Sequence, residues 1–166
     1  ELNQGVVTGK ISDASNCFNI NAVVKKVKND FKPNEKNIEV FKRLMTFNDV
    51  DLNLADEAID QIIDWIDKDS NPRAYGLEDY YYSGPLNNPK EYTASRLFYS
   101  VAELKSLPAI KTIGWEFFNN NFCALPDNSL EININTLKIN DNQLLASMFK
   151  NMSYEDAQYI LDNIPE

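Results

Sequence analysis

The feature that most constrains this chain is a concentration of acidic residues between positions 64 and 79. The five carboxylates in this stretch belong to Asp64, Asp67, Asp69, Glu78 and Asp79. Like charges crowd together in a folded protein only when something compensates them. We therefore expect a hard cation, calcium above all, to be bound here.

The spacing within the stretch is that of a calcium loop. Asp67, Asp69 and Asn71 stand at alternating positions, and Glu78 follows eleven residues after Asp67. This is the ligand rhythm of the D-x-D-x-N…E type, and calcium takes oxygen ligands. An EF-hand needs glycine at the sixth position, where this chain has Pro72, and no helical pattern follows Glu78. The sequence thus predicts a calcium loop after a helix rather than an EF-hand.

A plainer alternative is a solvated acidic helix end without an ion. The helix before the loop is predicted to be amphipathic, with a capping Asn53. Its apolar face carries Ala55, Ile59, Ile62 and Ile66. Its opposite face carries Asp56, Asp60 and Asp64. Acidic residues at a helix C-terminus oppose the helix dipole, which favours the metal over the plainer alternative.

Composition excludes several classes of function. The chain has 166 residues, 43% of them hydrophobic, which is enough for one domain or two small ones. A net charge of −9 argues against nucleic acid and anionic membrane as direct partners. The lack of histidine excludes Ser-His-Asp and Cys-His catalysis and His-ligated zinc. No apolar run approaches the length of a membrane span, and the start at Glu1 without methionine suggests a trimmed ectodomain.

The two cysteines allow two interpretations. Cys17 and Cys123 are far apart in the sequence and form no CxxC motif. They are either buried free thiols or one disulfide formed in an oxidising compartment. The residues alone leave both interpretations open.

Patterning along the chain predicts a small β element followed by a mostly helical body. Alternation predicts strands at residues 5–12 and 17–21, and the polar stretch 29–37 predicts a linker. Helices are predicted at about 38–45, 53–66, 101–107, 109–119, 141–149 and 154–163. Residues 130–136 alternate over a short stretch, and the tyrosines of residues 80–95 are expected to pack over a helix.

Several motifs occur in a fixed order along the chain. The most specific is Asp64-Trp65-Ile66-Asp67-x-Asp69-x-x-Pro72-x-x-x-Gly76-x-Glu78-Asp79-x-Tyr81. The others are Gly9-Lys10-Ile11-Ser12-Asp13, Phe18-Asn19-Ile20-Asn21, Ser100-Val101-Ala102-Glu103-Leu104, Ile132-Asn133-Ile134-Asn135-Thr136 and Ala157-x-x-Ile160-Leu161. Together, and in this order, they resemble one family, the large minor pseudopilin of bacterial type II secretion (GspK). One departure is Ser95, where the family tends to have asparagine.

The resemblance implies an α+β fold: a pilin-like small β element with a large inserted α-helical domain. Residues 1–28 would form an incomplete pilin-like part, and residues 29–166 the helical insert with the calcium loop. It implies Ca²⁺ bound by Asp67, Asp69, Glu78 and Asp79, with Asp64 a weaker candidate. It also favours a disulfide between Cys17 and Cys123.

The family's place in the cell supplies further expectations. The resemblance implies a non-enzymatic subunit at the tip of the pseudopilus, assembled with two other minor pseudopilins to support protein secretion. Family members begin with a membrane-spanning helix that this sequence lacks. We therefore expect the soluble, periplasmic part of a protein anchored in the bacterial inner membrane.

Two other functions compete with this interpretation. Residues 133–166 also resemble a helix-hairpin-helix nucleic-acid-binding module, but the turn at 150–153 has no glycine, and two lysines face five acidic residues. A carboxylate enzyme such as a glycosidase would need acids opposed across a cleft, whereas these acids lie along one loop. Both alternatives are weaker than the structural role.

Overall fold

The chain has an α+β fold, as expected. A computed structural model describes residues 8–9, 13 and 16–164, so most of the strand predicted at 5–12 lies outside the described residues. The described strands are β1 (Phe18–Asn19), β2 (Val24–Val27), β3 (Asp30–Pro33) and β4 (Phe122–Cys123). The described α-helices are α1 (Glu35–Phe47), α2 (Leu52–Ile66), α3 (Asp79–Tyr82), α4 (Pro108–Ile113), α5 (Trp115–Asn121), α6 (Asn142–Ser147) and α7 (Tyr154–Asp162). Short 3-10 helices occupy Ile20–Val23, Val101–Ser106, Ile134–Thr136 and Ile139–Asp141.

The two shortest strands bring distant parts of the chain together. β1 pairs in parallel with β4, with Phe18 opposite Phe122 and Asn19 opposite Cys123. Cys17 and Cys123 form a disulfide beside this pairing, which confirms the bond that the family resemblance favoured. We call residues 17–19 and 122–123 the neck. Helices α1 to α5 lie between its two halves in sequence, and α6 and α7 follow it.

The polar stretch predicted as a linker is part of a β-hairpin instead. β2 and β3 pair antiparallel, with Lys25 opposite Lys32 and Val27 opposite Asp30. Lys28 closes the turn with a φ of 57°. The lysine-rich strands lack a clean apolar alternation, so the sequence pattern did not reveal them. The hairpin spans residues 24–33, across the boundary expected between residues 28 and 29.

The helical body packs around α1 and α2. The apolar face predicted for α2 is buried, because Ala55, Ile59, Ile62 and Ile66 all belong to the hydrophobic core. The helix begins earlier than predicted, because Asp51 rather than Asn53 caps it and accepts from the backbone N–H groups of residues 53 and 54.

One local prediction fails for an identifiable reason. The single helix predicted at 109–119 is divided into α4 and α5 at Gly114, whose φ of 115° no helix accommodates. The short alternating stretch 130–136 forms no strand, and residues 134–136 form a 3-10 turn capped by Asn133. Alternation specifies a strand only when a partner strand is available for pairing.

The end of the described chain is a short helix pair. Ser153 and Asp156 form the predicted capping box at the start of α7. Arg43 on α1 donates from Nε to the carbonyl of Ser147, which fixes α6 against α1. Within the described residues no helix combines the length and apolar character needed to cross a membrane.

Candidate metal centre

The C-terminal half of α2 positions the acidic residues. Asp60 and Asp64 were expected on a polar outer face, but both are buried because the following chain folds back over them. Arg73 donates from Nε to Asp60 Oδ1 at 2.7 Å and from its backbone N–H to Asp64 Oδ2 at 3.0 Å. The backbone N–H of Tyr75 donates to Asp60 Oδ2 at 3.1 Å. These bonds fix the path of residues 67–79, which we call the acidic loop.

Gly76 makes this close return possible. A Cβ atom at this position would lie 1.8 Å from Asp64 Oδ2 and 2.9 Å from the backbone nitrogen of Arg73. No side chain fits in that space without moving the carboxylate. The glycine of the motif therefore lets the acidic loop pass directly over the buried Asp64.

The acidic loop brings three of the predicted ligands together. Asp67, Asp69 and Glu78 each present an oxygen, and the three oxygens lie within 4.8 Å of one another. Asp67 caps the C-terminus of α2, and Glu78 precedes α3. The side chains of Asp67 and Glu78 are buried, with residue exposures of 7% and 3%, whereas Asp69 lies at the rim.

Several oxygens at this cluster have no hydrogen-bond partner. They are Asp64 Oδ1, Asp67 Oδ1 and Glu78 Oε1, and each is fully shielded from solvent. Buried polar atoms in folded proteins nearly always have a partner. Three unpartnered carboxylate oxygens in one region are the kind of buried negative charge that a bound cation would compensate.

The pKa values of these buried carboxyl groups are raised above their usual values. Burial, and after it the charges of neighbouring carboxylates, together raise the pKa of Asp67 and of Glu78 to about 7. Burial also raises the pKa of Asp64 to about 6, against a hydrogen bond from the backbone of Arg73. With no cation bound, the low dielectric and mutual repulsion disfavour the charged forms.

The remaining predicted ligands have other partners. Asp79 begins α3, and its Oδ1 accepts from the backbone N–H of Thr93 at 2.7 Å and from its hydroxyl at 2.8 Å. Asn71 donates to Asp69 Oδ1 from its backbone and its side chain, at 3.0 and 3.1 Å. Asp79 thus joins the acidic loop to residues further along, while Asn71 orients Asp69.

Sequence reasoning missed the hairpin's contribution to the site. Lys32 Nζ lies 2.8 Å from Asp30 Oδ2 and 3.1 Å from Asp69 Oδ2. Asp30 Oδ1 accepts from the backbone N–H of Lys68 at 3.2 Å. These bonds hold the pKa of Lys32 above its usual value and that of Asp30 below its own. The pKa of Asp69 is also lowered, first by the backbone N–H of Asn71 and then by Lys32. Asp30 and Lys32 share one face of β3, but no local pattern shows that this face meets the acidic loop.

The donor set fits a calcium ion. Calcium binds oxygens at about 2.3–2.6 Å, so oxygens on one ion lie at most about 5 Å apart. The oxygens of Asp67, Asp69 and Glu78 meet that limit. All three donors are carboxylates, which suit a hard cation and not the softer metals that prefer thiolate or imidazole.

The segment after the acidic loop packs against the end of α2. Trp65 contacts Tyr82 edge-to-face with ring centroids 5.1 Å apart, and its carbonyl accepts from the N–H groups of residues 94 and 95. Tyr82 is buried, as expected of an aromatic packed over a helix, whereas Tyr80, Tyr81 and Tyr92 are exposed. These contacts with Trp65 hold residues 79–95 in place beside the acidic loop.

Comparison with known proteins identifies what this chain is similar to. The family described as "Type II secretion system (T2SS), protein K" matches residues 16–127. The type II secretion system protein K of Pectobacterium carotovorum is 33% identical over 165 residues, covering 97% of this chain and 49% of that protein. The putative type II secretion system protein K of Escherichia coli K12 is 30% identical over 160 residues, covering 96% of this chain and 48% of that protein. The chain thus spans about half the length of these relatives.

A solved structure shares the fold. It is described as the crystal structure of the GspK-GspI-GspJ complex from the type II secretion system of enterotoxigenic Escherichia coli. The similarity has a TM-score of 0.74 at 24% identity and covers 93% of this chain and 51% of the matched chain. This extent supports the α+β assignment over nearly the whole sequence.

Proposed function

Because the chain belongs to the family of type II secretion system protein K, we propose that it is the periplasmic part of a minor pseudopilin. In this role it stands at the tip of the pseudopilus and assembles with other minor pseudopilins to support protein secretion. The complex in which a structurally similar GspK is found with GspI and GspJ supports partners of this kind. The role is structural and non-enzymatic, and the full-length protein is anchored in the inner membrane by an N-terminal helix.

We also propose that calcium is part of the folded protein. The observation that carries this proposal is the set of unpartnered, fully buried oxygens on Asp64, Asp67 and Glu78 beside the rim carboxylate of Asp69. Asp67, Asp69 and Glu78 are the principal ligands, with Asp64 and Asp79 beside them. Bound calcium supplies the positive charge that these carboxylates lack.

The positive charge of the ion would stabilise the acidic loop and the aromatic segment that follows it. Asp67 ends α2 and Glu78 precedes α3, so one ion holds both ends of the acidic loop. The aromatic segment 79–95 begins at the next residue, so its position against Trp65 depends on the acidic loop. An ion bound only by the folded state adds stability by mass action, about 2.7 kcal/mol at a hundred times its dissociation constant.

The disulfide of the neck agrees with a periplasmic location. Disulfides persist in oxidising compartments such as the periplasm and are rare in the cytosol. The bond between Cys17 and Cys123 therefore supports export of this part of the protein.

Calorimetric titration of chelator-stripped protein with calcium tests the metal proposal. We expect saturable uptake with at least one ion per chain and a rise in the melting temperature. The absence of uptake at millimolar calcium would refute the site.

Co-purification tests the proposed assembly. The protein would be expressed with the two minor pseudopilins from its own secretion operon, and we expect a ternary complex on gel filtration. Elution of the protein by itself, with the two partners correctly folded, would contradict the proposed role.

A further inference from the structure

Lys32 is the one described cation paired with a member of the carboxylate cluster. Its ammonium group lies 3.1 Å from Asp69 Oδ2, and Asp69 is one of the three residues whose oxygens converge. It reaches the cluster from β3 of the hairpin, through Asp69, which is only partly buried. Asp67 and Glu78 each keep an unpartnered oxygen in the interior.

The second oxygen of Asp69 is occupied as well. Asp69 Oδ1 accepts from the backbone N–H and the side-chain amide of Asn71. Both oxygens of the rim ligand are therefore hydrogen-bonded before any ion arrives. An incoming cation has to share or replace one of these bonds. The Lys32 bond is the one that opposes the ion electrostatically, because two positive charges would then meet at one carboxylate.

We propose that Lys32 is an internal competitor of calcium, which has to release the ammonium group from Asp69 when it binds. This inference rests on the proposed calcium site and adds a residue that sets the site's affinity. Lys32 compensates Asp69 in the metal-free protein and is repelled by the ion in the loaded protein. Asp30 keeps a partner for the released ammonium, because Lys32 Nζ lies 2.8 Å from Asp30 Oδ2.

The competition would also make the contacts of the β2–β3 hairpin depend on whether calcium is bound. Two contacts join β3 to the acidic loop: the pair of Lys32 with Asp69, and the bond from the backbone of Lys68 to Asp30 Oδ1. Calcium removes the first contact and leaves the second. The hairpin is therefore held less firmly in the loaded protein than in the metal-free protein.

A matched pair of variants tests the proposal. Lys32→Met removes the competing charge, and Lys25→Met removes an equal charge from the exposed residue directly opposite on β2. Calcium affinity is measured by calorimetry on chelator-stripped protein, with circular dichroism to check folding. We expect Lys32→Met to bind calcium about tenfold more tightly than wild type, as for loss of one unit charge a few ångströms from the ion. Lys25→Met should stay within about twofold of wild type, because Lys25 is exposed, its charge is screened by solvent, and it has no described ion pair with the acidic loop.

Each outcome of the titration has a separate meaning. Equal affinities in Lys32→Met and Lys25→Met would overturn the competition while leaving the calcium site intact. Weaker binding by Lys32→Met would also overturn it, and would show instead that Lys32 positions Asp69 for the ion. No uptake by wild type or by either variant would refute the calcium site and this inference together.

Amine labelling of the wild-type protein provides a second measurement that needs no variant. The acetylation rates of Lys32 and Lys25 are compared by mass spectrometry with calcium and with chelator. We expect calcium to raise the rate at Lys32 about threefold, since loss of one hydrogen-bond partner exposes the amine, and to leave Lys25 unchanged. A rate at Lys32 that stays constant or falls on adding calcium would contradict release of the ammonium group.

Discussion

The neck and the acidic loop are both closures of the chain, but they act by different physics. The neck joins residues 17 and 123 covalently, across a sequence separation of 106. The acidic loop joins the end of α2 at Ile66 to the start of α3 at Asp79, and its carboxylates repel one another without a cation. The first closure restricts the unfolded chain, whereas the second, on our proposal, is completed by calcium from solution. If calcium binds there, the fold combines a permanent constraint with a conditional one.

The largest expected effect is the loss of stability when the disulfide of the neck is removed, and it distinguishes the neck from the acidic loop. The double variant Cys17→Ser, Cys123→Ser should lower the free energy of unfolding by about 4 kcal/mol, because the lost bond closes a loop of about a hundred residues. Urea unfolding, run once with calcium and once with chelator, measures it. The decrement should be the same in both conditions. A decrement that depends on calcium would show that the two closures are coupled.

The next largest effect is the stability that calcium is expected to add at the acidic loop. Wild-type protein should gain about 3 kcal/mol in the free energy of unfolding when calcium reaches a few hundred times its dissociation constant. Asp67→Asn should abolish this gain because it removes a buried ligand. In chelator the same variant should be at least as stable as wild type, because it also removes a buried, repelled charge.

Asp162→Asn is the control for the loss of a carboxylate. Asp162 is exposed near the end of α7, far along the chain from the acidic loop. Its variant should show the full calcium gain in the same thermal or urea measurements. A calcium gain that survives in Asp67→Asn would move the ion away from the acidic loop.

A third effect tests the packing of the acidic loop itself. Gly76→Ala should lower the free energy of unfolding by about 2 kcal/mol, because its methyl group would collide with Asp64 Oδ2. It should also weaken calcium binding, since the loop carries the ligands. Gly9→Ala, where a Cβ meets nothing within 4 Å, is the matched control for the loss of a glycine. Equal stabilities of the two variants would show that the loop can move away from α2 at little cost.

The smallest expected change in stability is at Ser95, in the segment that follows the acidic loop. Ser95 adopts a φ of 49°, in the left-handed region, and donates its N–H to the carbonyl of Trp65 at 3.1 Å. Asparagine tolerates this conformation better than serine, so Ser95→Asn should raise the free energy of unfolding by about 0.5 kcal/mol. Ser95→Val should lower it, because a β-branched residue is disfavoured there. The opposite order in chemical denaturation would contradict a left-handed residue at this position.

The acidic loop could be predicted because its chemistry is local. Asp67, Asp69 and Glu78 are close in sequence, and the capping Asp67 follows directly from the predicted helix. The same holds for the Ser153 capping box, which needs only four consecutive residues. In such cases the spacing of side chains is fixed by the backbone geometry of a turn or a helix end.

What could not be predicted depends on contacts between distant residues. Asp60 was expected on a polar outer face, but it is buried because Arg73 and Tyr75 return to it from thirteen and fifteen positions away. Lys32 reaches Asp69 across thirty-seven positions. No periodicity records which face of a hairpin will meet which loop, so these partners emerge only in the folded chain.

The disulfide at the neck also determines how the molecule carries mechanical load. A pull applied between residues before Cys17 and residues after Cys123 passes through the sulfur–sulfur bond, because that bond is the shortest covalent path between them. The residues from 18 to 122, including both hairpin strands and α1 to α5, lie outside that path and bear no tension. Force applied across the neck can therefore be transmitted while the acidic loop, which lies between the two cysteines in sequence, stays unstretched.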